Sequence, residues 1–390
     1  MNRVPFAVVP LLGVALLAGC RDVIEPFPPT DRPAIDTEPL RLTYSEGDDR
    51  SPAWSADSDS IYYSASISDH VANSNGVLVA IGRRGGVTRI LLASQPGRAI
   101  PRRLVEPAAN AADAALAFVE LSRGTDPAPC PFDARTCDLR DGVSPNLTEA
   151  WLAVGDSADA PDWRRVLHLG FSGTAEPIGL MGAVVLYESR YNPYQEAWLQ
   201  QRALPFKPAW SPTADRVAVV DHAGLHVVDL ATGDSATIAT GDVANPAWSP
   251  DGASIAFDRV ERIDSVTDLC FYQVATSKGI MPSCWERRVY YTTTPPVLWL
   301  VNPDGTGATE LAPGADPEWS PDGRRLYYVE GGAIVRRDMQ TGETLPLAGT
   351  EGGAEPAASP DGRSIAFSRY DGVRATRDIW VADLPDDDGE

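Results

Sequence analysis

The chain has 390 residues, with 54 acidic side chains, 33 basic ones and a formal net charge of −21 at pH 7. This negative charge argues against a nucleic-acid partner, because binding to a phosphate backbone depends on lysine and arginine. The acidity instead favours a protein whose copies repel one another in solution.

Residues 1–19 predict an export signal. One positive charge at Arg3 precedes an apolar run, Val4 to Leu17, that is shorter than the roughly 20 residues a transmembrane helix needs. The following residues, Leu-Ala-Gly-Cys ending at Cys20, resemble the lipobox of bacterial lipoproteins. The resemblance implies that Cys20 is acylated and begins the mature chain. An ordinary cleaved signal with an incidental cysteine is the alternative.

The residues after the signal predict a tether and then a folded region. Arg21, rather than aspartate, follows the cysteine, which in the lipoprotein family favours the outer membrane, with the protein facing the periplasm or the cell surface. Residues 20–39 are rich in proline and poor in large apolar side chains, so we expect a semi-extended tether. The folded region is then 40–385, and residues 386–390 form a frayed acidic tail.

A repeated element in the folded region predicts hairpins. The string Pro-x-Trp-Ser-Pro-Asp-Gly, complete or degenerate, is followed each time by a short apolar segment, which predicts two strands joined by a tight turn. Third strands are expected at 225–230, 297–301 and 379–384. Four short antiparallel strands make one blade of a β-propeller. The copies of the element start at Pro52, Pro208, Pro246, Pro317 and Pro356.

The number of blades is estimated from the spacing of the copies. Weaker copies are assigned at 116–118 and 184–187, which brings the total to seven. Without two apparent insertions, 122–148 and 261–296, there are 282 residues from position 40 to position 384, or about 40 for each of seven blades. We therefore expect an all-β propeller of seven four-stranded blades, with six blades as the alternative. Residues 40–44 are expected to pair with the last blade and close the ring.

The repeated element resembles the repeats of TolB-like, WD-repeat-like propellers. TolB itself carries a folded domain ahead of its propeller and has no lipobox, so the resemblance implies the architecture only. Propellers of this family are docking surfaces in the cell envelope, which favours a protein-binding role here.

The four remaining cysteines predict disulfides, because an even number occurs in a chain marked for export. Local pairs, Cys130 with Cys137 and Cys270 with Cys284, are the natural choice, although three pairings are formally open. Their spacing does not match that of structural zinc sites, so we expect neither a metal nor another cofactor. His222 and His226 are four residues apart, but on a predicted turn and strand we expect them to be solvated rather than metal-bound.

Both insertions follow a second strand, so we expect them on the face opposite the Ser-Pro-Asp-Gly turns. The second insertion combines aromatic residues with arginine, a composition typical of interface anchors; the alternative is that these residues pack the insertion onto its own blade. Trp54, Trp210, Trp248 and Trp319, by contrast, recur at one place in the repeat and are expected to pack between blades. The candidate partner-binding residues are Phe271, Tyr272, Trp285, Arg287, Arg288, Tyr290 and Tyr291.

These observations favour a non-enzymatic, monomeric scaffold that binds an envelope protein. No Gly-x-Ser-x-Gly elbow is present, and the carboxylates are too numerous to single out a catalytic pair. The alternative is a propeller that binds, and could act on, a carbohydrate or another small ligand. That alternative predicts carboxylates or histidines converging at the mouth of the central channel.

Overall fold

The computed structural model describes residues 39–66, 76–92, 102–123, 148–156, 163–190, 207–276 and 279–385, apart from positions 46, 112–114, 173–174, 182–183, 222 and 374–375. All regular elements in these ranges are β-strands. The described part contains no helix of the length and apolarity that crossing a membrane requires.

Six four-stranded antiparallel sheets follow one another around a central axis as the blades of a propeller. In every blade the strand nearest the axis comes first in the sequence and the outermost strand comes last, except that the outermost strand of blade 6 is supplied by β1. Blade 1 is β2 (Asp49–Trp54), β3 (Ser60–Ser66), β4 (Gly76–Gly82) and β5 (Arg89–Leu92); blade 2 is β6 (Arg102–Ala109), β7 (Leu116–Arg123), β8 (Thr148–Gly155) and β9 (Trp163–Ser172).

The third strands expected from the sequence are present in blades 3, 4 and 6. Blade 3 is β12 (Ala209–Trp210), β13 (Arg216–Asp221), β14 (Gly224–Asp229) and β15 (Ser235–Thr240); blade 4 is β16 (Val243–Trp248), β17 (Ile255–Arg259), β20 (Val297–Val301) and β21 (Thr309–Pro313). Blade 5 is β22 (Ala315–Trp319), β23 (Arg325–Glu330), β24 (Ala333–Asp338) and β25 (Thr344–Pro346); blade 6 is β26 (Gly353–Ala358), β27 (Ser364–Asp371), β28 (Thr376–Asp383) and β1 (Leu40–Arg41).

The preference for seven blades is wrong, and the alternative of six is confirmed. The segment assigned as a seventh copy forms a hairpin, β10 (Ala175–Met181) and β11 (Val184–Arg190), which is not part of the ring. Its partner is a second hairpin, β18 (Arg262–Thr276) and β19 (Gly279–Thr293), inserted between β17 and β20. β11 runs parallel to β19, and together the two hairpins form a seventh sheet. A short apolar strand has the same sequence pattern in a blade and in a separate hairpin. Counting such patterns therefore gave one blade too many.

Six apolar clusters hold the ring together, one at each joint between neighbouring blades. At the joint of blades 2 and 3, Val119 and Leu152 pack with Val217 and Val219, and all four side chains are fully buried. Since blade 2 packs directly on blade 3, no blade is inserted between them. Burying such side chains is the main favourable term in folding.

The repeated turn is stabilised by its own side chains. In blade 4, the Ser249 hydroxyl donates to the Asp251 carboxylate at 2.6 Å and accepts the Ser254 N–H at 2.9 Å. Gly252 has a φ of 71°, which glycine adopts without steric cost. Blades 5 and 6 repeat both serine bonds. The Ser-Pro-Asp-Gly string therefore encodes a self-contained turn between the first two strands of a blade.

The N-terminal strand closes the ring, as the sequence predicts. Leu40 and Arg41 of β1 pair with Val381 and Trp380 of β28, so blade 6 contains both ends of the propeller sequence. The Arg41 guanidinium binds the Asp378 carboxylate, which is completely buried, and lies 3.1 Å from that of Asp371. A buried carboxylate is costly without a partner, so this ion pair makes closure depend on Arg41.

Substituting Arg41→Ala is expected to lower the free energy of unfolding by about 3 kcal/mol, because it leaves the Asp378 charge buried without its guanidinium partner. Urea unfolding followed by tryptophan fluorescence measures the loss. Arg84→Ala, which removes an exposed arginine from blade 1, should change stability by less than about 0.5 kcal/mol. Equal effects of the two variants would contradict the closing role of Arg41.

Candidate functional site

The tryptophans of the repeat pack between blades, as the sequence predicts. The Trp54 indole N–H of blade 1 donates to the Ala357 carbonyl of blade 6 at 2.9 Å. Trp210 and Trp319 make the same bond to the blade that precedes them, at 2.8 Å and 3.2 Å. Trp248 is buried at the joint of blades 3 and 4, although its indole N–H has no hydrogen-bond partner among the described residues. The indoles are therefore structural, and they surround the mouth of the channel.

Six polar residues, one from each blade, surround the axis at the position that precedes the first proline of each repeat. We call this set the axial belt; it consists, from blade 1 to blade 6, of Ser51, Glu106, Lys207, Asn245, Asp316 and Glu355. Five of the six, all except Lys207, have a φ between 52° and 56°. In each of these five strands the pairing register shifts at this position, so the residue lies in a β-bulge.

Belt residues also bond across the joints. The backbone N–H of Glu355 donates to the Asp316 carboxylate of the preceding blade at 3.1 Å, and that of Ser51 donates to the Glu355 carboxylate at 2.9 Å. The N–H of Asp316 reaches the Asp258 carboxylate at 2.9 Å, and the N–H of Glu106 reaches the hydroxyl of a serine in blade 1 at 3.0 Å. The left-handed bulge thus directs a backbone donor toward the neighbouring blade.

Acidic groups dominate the channel. Glu106, Asp316 and Glu355 belong to the belt, and Asp258 and Glu318 lie beside it. The Lys207 ammonium of blade 3 lies 3.4 Å from the Glu318 carboxylate of blade 5, two blades away. The contact therefore spans the channel. It neutralises one carboxylate, and the Asn245 amide donates to the carboxylates of Asp258 and Asp316 at 2.9 Å and 2.5 Å.

This crowding changes the proton affinity of the carboxyl groups. Burial raises the pKa of Glu106 to about 8, and the nearby Glu355 carboxylate adds to the rise. Burial also raises the pKa of Asp316 to about 7, with further contributions from Asp258 and Glu355. Burial alone would lower the pKa of Lys207, but the carboxylates of Glu318 and Asp316 raise it. At neutral pH the belt therefore holds a charged amine beside carboxyl groups that ionise with difficulty.

A cavity of about 460 Å³ opens above the belt on the face of the Ser-Pro-Asp-Gly turns. All six innermost strands line it, mainly with alanine, proline and tryptophan. Lys207 and Glu318 are the charged residues of its lining. An apolar wall with a few convergent polar groups is the usual build of a small-ligand site. Among the described residues no three histidine, cysteine or acidic side chains are arranged to hold a metal ion.

The residues predicted to bind a partner lie in a hairpin rather than in a loop. All seven belong to β18 or β19, and the register places Arg287 opposite Asp268 and beside Glu188 of β11. Positions along a strand alternate between its two faces, so positions 285, 287 and 291 share one face of this sheet and positions 288 and 290 share the other. The predicted patch is thus divided between two faces.

Of the cysteines in the chain, the structure describes Cys270 and Cys284. Cys270 lies directly opposite Cys284 in the antiparallel register of β18 and β19, which is the relation a cross-strand disulfide needs. The disulfide itself stays a prediction. Cys20, Cys130 and Cys137 lie outside the described residues, as does the export signal.

His226 differs from the expectation of a solvated histidine. It is buried in β14, where one ring nitrogen lies 2.6 Å from the Asp221 carboxylate and the other 3.1 Å from the Thr237 hydroxyl. Both nitrogens are therefore occupied by protein partners. His222 lies outside the described residues.

Sequence reasoning missed the axial belt, although a signal was present. The repeat was defined from its first proline onward, which left out the position before it. That position is polar in all six blades, at or just before the strand nearest the axis. A polar residue recurring once per blade on the strand nearest the axis predicts a polar ring around the channel.

Comparisons with known proteins do not identify a family. No family model matches the chain, and no curated protein matches its sequence. A solved structure assigned as TolB from Agrobacterium tumefaciens has 14% identity and a TM-score of 0.45, covering 87% of this chain and 91% of its own. The structure of a nidogen–laminin complex has 8% identity and a TM-score of 0.44, covering 80% and 86%. Dipeptidyl peptidase 4 from Porphyromonas gingivalis has 11% identity and a TM-score of 0.39, covering 88% and 49%.

The raised pKa of Glu106 predicts that stability falls as pH rises. In the unfolded chain this carboxyl group loses its proton near pH 4.3, whereas the folded protein holds it to about pH 8. Below pH 4 both states are protonated; between pH 4 and pH 8 the unfolded state gains from ionising, so stability is progressively lost. Glu355, Lys207 and Arg50 face the group and set the extent of the loss.

Glu106→Gln should therefore stabilise the protein by up to about 5 kcal/mol at pH 8.5 and by about 1 kcal/mol at pH 5. Urea unfolding at both pH values measures the difference from the wild-type protein. Glu310→Gln, in the exposed outer strand β21, serves as the matched control and should show no such trend. A gain for Glu106→Gln that does not change with pH would refute the account of this carboxyl group.

Proposed function

We propose that this chain is an exported bacterial lipoprotein of the cell envelope whose propeller is a docking scaffold for another envelope protein. The anchor is Cys20, and the outer membrane is its destination, with the propeller facing the periplasm or the cell surface. We assign no catalysis and no cofactor to the chain, and we propose that the protein is a monomer.

The observation that carries the docking role is the inserted hairpin of β18 and β19. The connection between the second and third strands of a blade lies on the face opposite the Ser-Pro-Asp-Gly turns, so the hairpin leaves blade 4 on that face. Two hydrogen bonds join the two segments at the base of the hairpin. The Thr294 N–H donates to the Glu261 carbonyl at 3.0 Å, and the Glu261 N–H donates to the Thr294 hydroxyl at 2.9 Å. A long element held at its base loses little conformational freedom when a partner binds.

A second candidate function is supported by the channel. An apolar cavity of about 460 Å³ opens on the axis, and Lys207 and Glu318 are the charged residues of its lining. An apolar wall with a few convergent polar groups supports a small-ligand site, whether the ligand is a carbohydrate or another compound. The two functions use opposite faces, so each can be tested while the other is left intact.

Substituting Cys20→Ala tests the lipid anchor. In a Gram-negative host fed radiolabelled palmitate, the wild-type protein should carry label and fractionate with the outer membrane. The variant should carry none and appear in the soluble fraction, because the thiol that is acylated is gone. An unlabelled wild-type protein, or a variant that stays in the membrane, would contradict the anchor.

Deleting the hairpin tests the docking face. Residues 262–293 can be replaced by Asn-Gly, which favours the two-residue turn that joins antiparallel strands, because Glu261 and Thr294 already bond to each other. After crosslinking in cells and purification from membranes, the intact protein should capture a specific envelope protein that the deletion loses. The double variant Trp285→Ala, Arg287→Ala should weaken capture at least tenfold.

The matched control is the double variant Arg324→Ala, Arg363→Ala, because both arginines are exposed in turns of the opposite face. It should capture the partner as the wild-type protein does. All variants must first unfold cooperatively near the wild-type temperature. Capture that survives the hairpin deletion would remove β18 and β19 from the interface.

A further inference from the structure

We propose that the tether of this chain docks onto its own propeller, with Pro26, Phe27, Pro28 and Pro29 seated in the apolar cavity on the face of the Ser-Pro-Asp-Gly turns. The inference goes beyond both candidate functions and rests on neither of them. The cavity would then hold a segment of the same chain, which any small ligand would have to displace.

The direction of β1 brings the tether to this face. Ser364 follows the Ser-Pro-Asp-Gly turn of blade 6 and pairs with Asp383, so the last residues of β28 lie on the face of those turns. β1 is antiparallel to β28, and Leu40 pairs with Val381, near that end. The chain that precedes Leu40 therefore reaches the propeller from the face on which the cavity opens.

A groove leads from β28 to the cavity. It has a volume of about 280 Å³ and lies between blades 5 and 6, and Leu384 and Pro385, which follow β28, belong to its lining. Ser320, Pro321 and Pro360 line both the groove and the cavity, so the two are continuous. Because β28 is the strand that pairs with β1, the groove begins beside the place where the tether reaches the propeller.

The tether is long enough to follow this path. Pro29 precedes Leu40 by 11 positions, and proline-rich chain in its extended form rises about 3.1 Å per residue, which gives a reach of about 34 Å. The innermost strand of blade 6 lies three strand spacings from β1, or about 14 Å. Residues 26–29 can therefore reach the axis with length to spare.

The lining of the cavity suits a proline-rich segment. Alanine, proline and tryptophan make up most of its wall, and aromatic-lined grooves are the surfaces on which proline-rich segments dock. Residues 26–29 read Pro-Phe-Pro-Pro and carry no charge. A volume of about 460 Å³ has room for a few such side chains but not for a folded partner. Proline also restricts the free chain, so less conformational freedom is lost on docking.

One tryptophan of the wall has an unused donor. Trp54, Trp210 and Trp319 donate their indole N–H groups to backbone carbonyls of the preceding blades. Trp248 also lines the cavity and is 7% exposed, but its indole N–H has no hydrogen-bond partner among the described residues. A buried donor without an acceptor is unfavourable. The carbonyls of a proline-rich segment have no partner within the segment, so they are suitable acceptors.

The acidic tail is a weaker candidate for the same cavity. It follows β28 and therefore leaves the propeller on the same face. Residues 386–390 read Asp-Asp-Asp-Gly-Glu, and burying their charges against alanine, proline and tryptophan is costly. The neutral segment of the tether is the better occupant.

Photocrosslinking of the whole mature chain, residues 20–390 with Cys20→Ala so that no lipid is attached, tests the docking. With p-benzoylphenylalanine in place of Phe27, irradiation should join position 27 to lining residues of the cavity, which mass spectrometry identifies. The yield should not depend on protein concentration, because the contact is within one molecule. The same probe in place of Asp388 should form no crosslink to the lining.

A variant of the cavity provides the second arm. Ala209→Leu narrows the cavity without altering a charge and should lower the yield of the crosslink at least tenfold. The matched control is Ala231→Leu, the same substitution in an exposed turn of blade 3, which should leave the yield unchanged.

A peptide titration tests the docking without changing the folded region. The triple variant Phe27→Ser, Pro28→Ser, Pro29→Ser leaves the cavity without its occupant. A synthetic peptide of residues 24–33 should bind this variant in isothermal titration calorimetry. It should bind the wild-type chain at least tenfold more weakly, because the attached tether competes at a high effective concentration.

Crosslinks from position 27 that miss the lining of the cavity would overturn the inference. So would crosslinks that join only two different molecules, which would place the tether of a second copy in the cavity, or crosslinks to the lining from position 388. A peptide that binds the triple variant and the wild-type chain equally, or binds neither, would overturn it as well.

Discussion

The left-handed bulge before the repeat proline is the constraint on which the rest of this propeller depends. A residue other than glycine in that conformation costs about 1–3 kcal/mol, and five blades carry one. The cost is offset because the bulge frees a backbone N–H that reaches an acceptor of the preceding blade, as Glu355 reaches Asp316 at 3.1 Å. The ring is held together by these polar bonds near the axis and by apolar clusters farther out.

The bulges also bring acidic side chains of different blades together beside the channel. Because each blade places one polar side chain beside the channel, five of them in a bulge, the identity of six residues sets the chemistry of the axis. Three of them are carboxylates, and burial, together with the nearby Glu355 carboxylate, raises the pKa of Glu106 to about 8. Stability and axial charge are therefore linked: the acceptors that join the blades are also those that repel one another. Protonation relieves that repulsion, and so does the Lys207 ammonium.

Much of the fold could be predicted from the sequence because the repeat encodes it locally. The turn of Ser249 and Asp251 is formed by residues within a single hairpin, and the expected third strands follow from alternating apolar residues. Ring closure by residues 40–44 was also predictable, since an edge strand needs a partner. The number of blades was not, because β11 pairs with β19 about 100 residues away. Short local patterns carry no information about such distant parallel pairing.

The candidate site was harder to predict for a related reason. Each belt residue is an ordinary polar side chain in its own strand, and only the ring brings Glu106, Asp316 and Glu355 around one axis. The tryptophans were interpreted correctly, because recurrence at one place in a repeat indicates packing. Applied to the position before the proline, the same logic predicts the belt. The partner-binding residues of β18 and β19 remain a hypothesis based on their composition and on the face they occupy.

The central claim is that acidic side chains of different blades meet on the axis of a six-bladed propeller. A crystal structure of the folded domain tests it most directly. The account predicts a six-bladed ring in which the Lys207 ammonium lies about 3.4 Å from the Glu318 carboxylate and Oε2 of Glu355 accepts the Ser51 N–H at about 2.9 Å. A ring of seven blades, or Glu355 turned away from the axis, would contradict it.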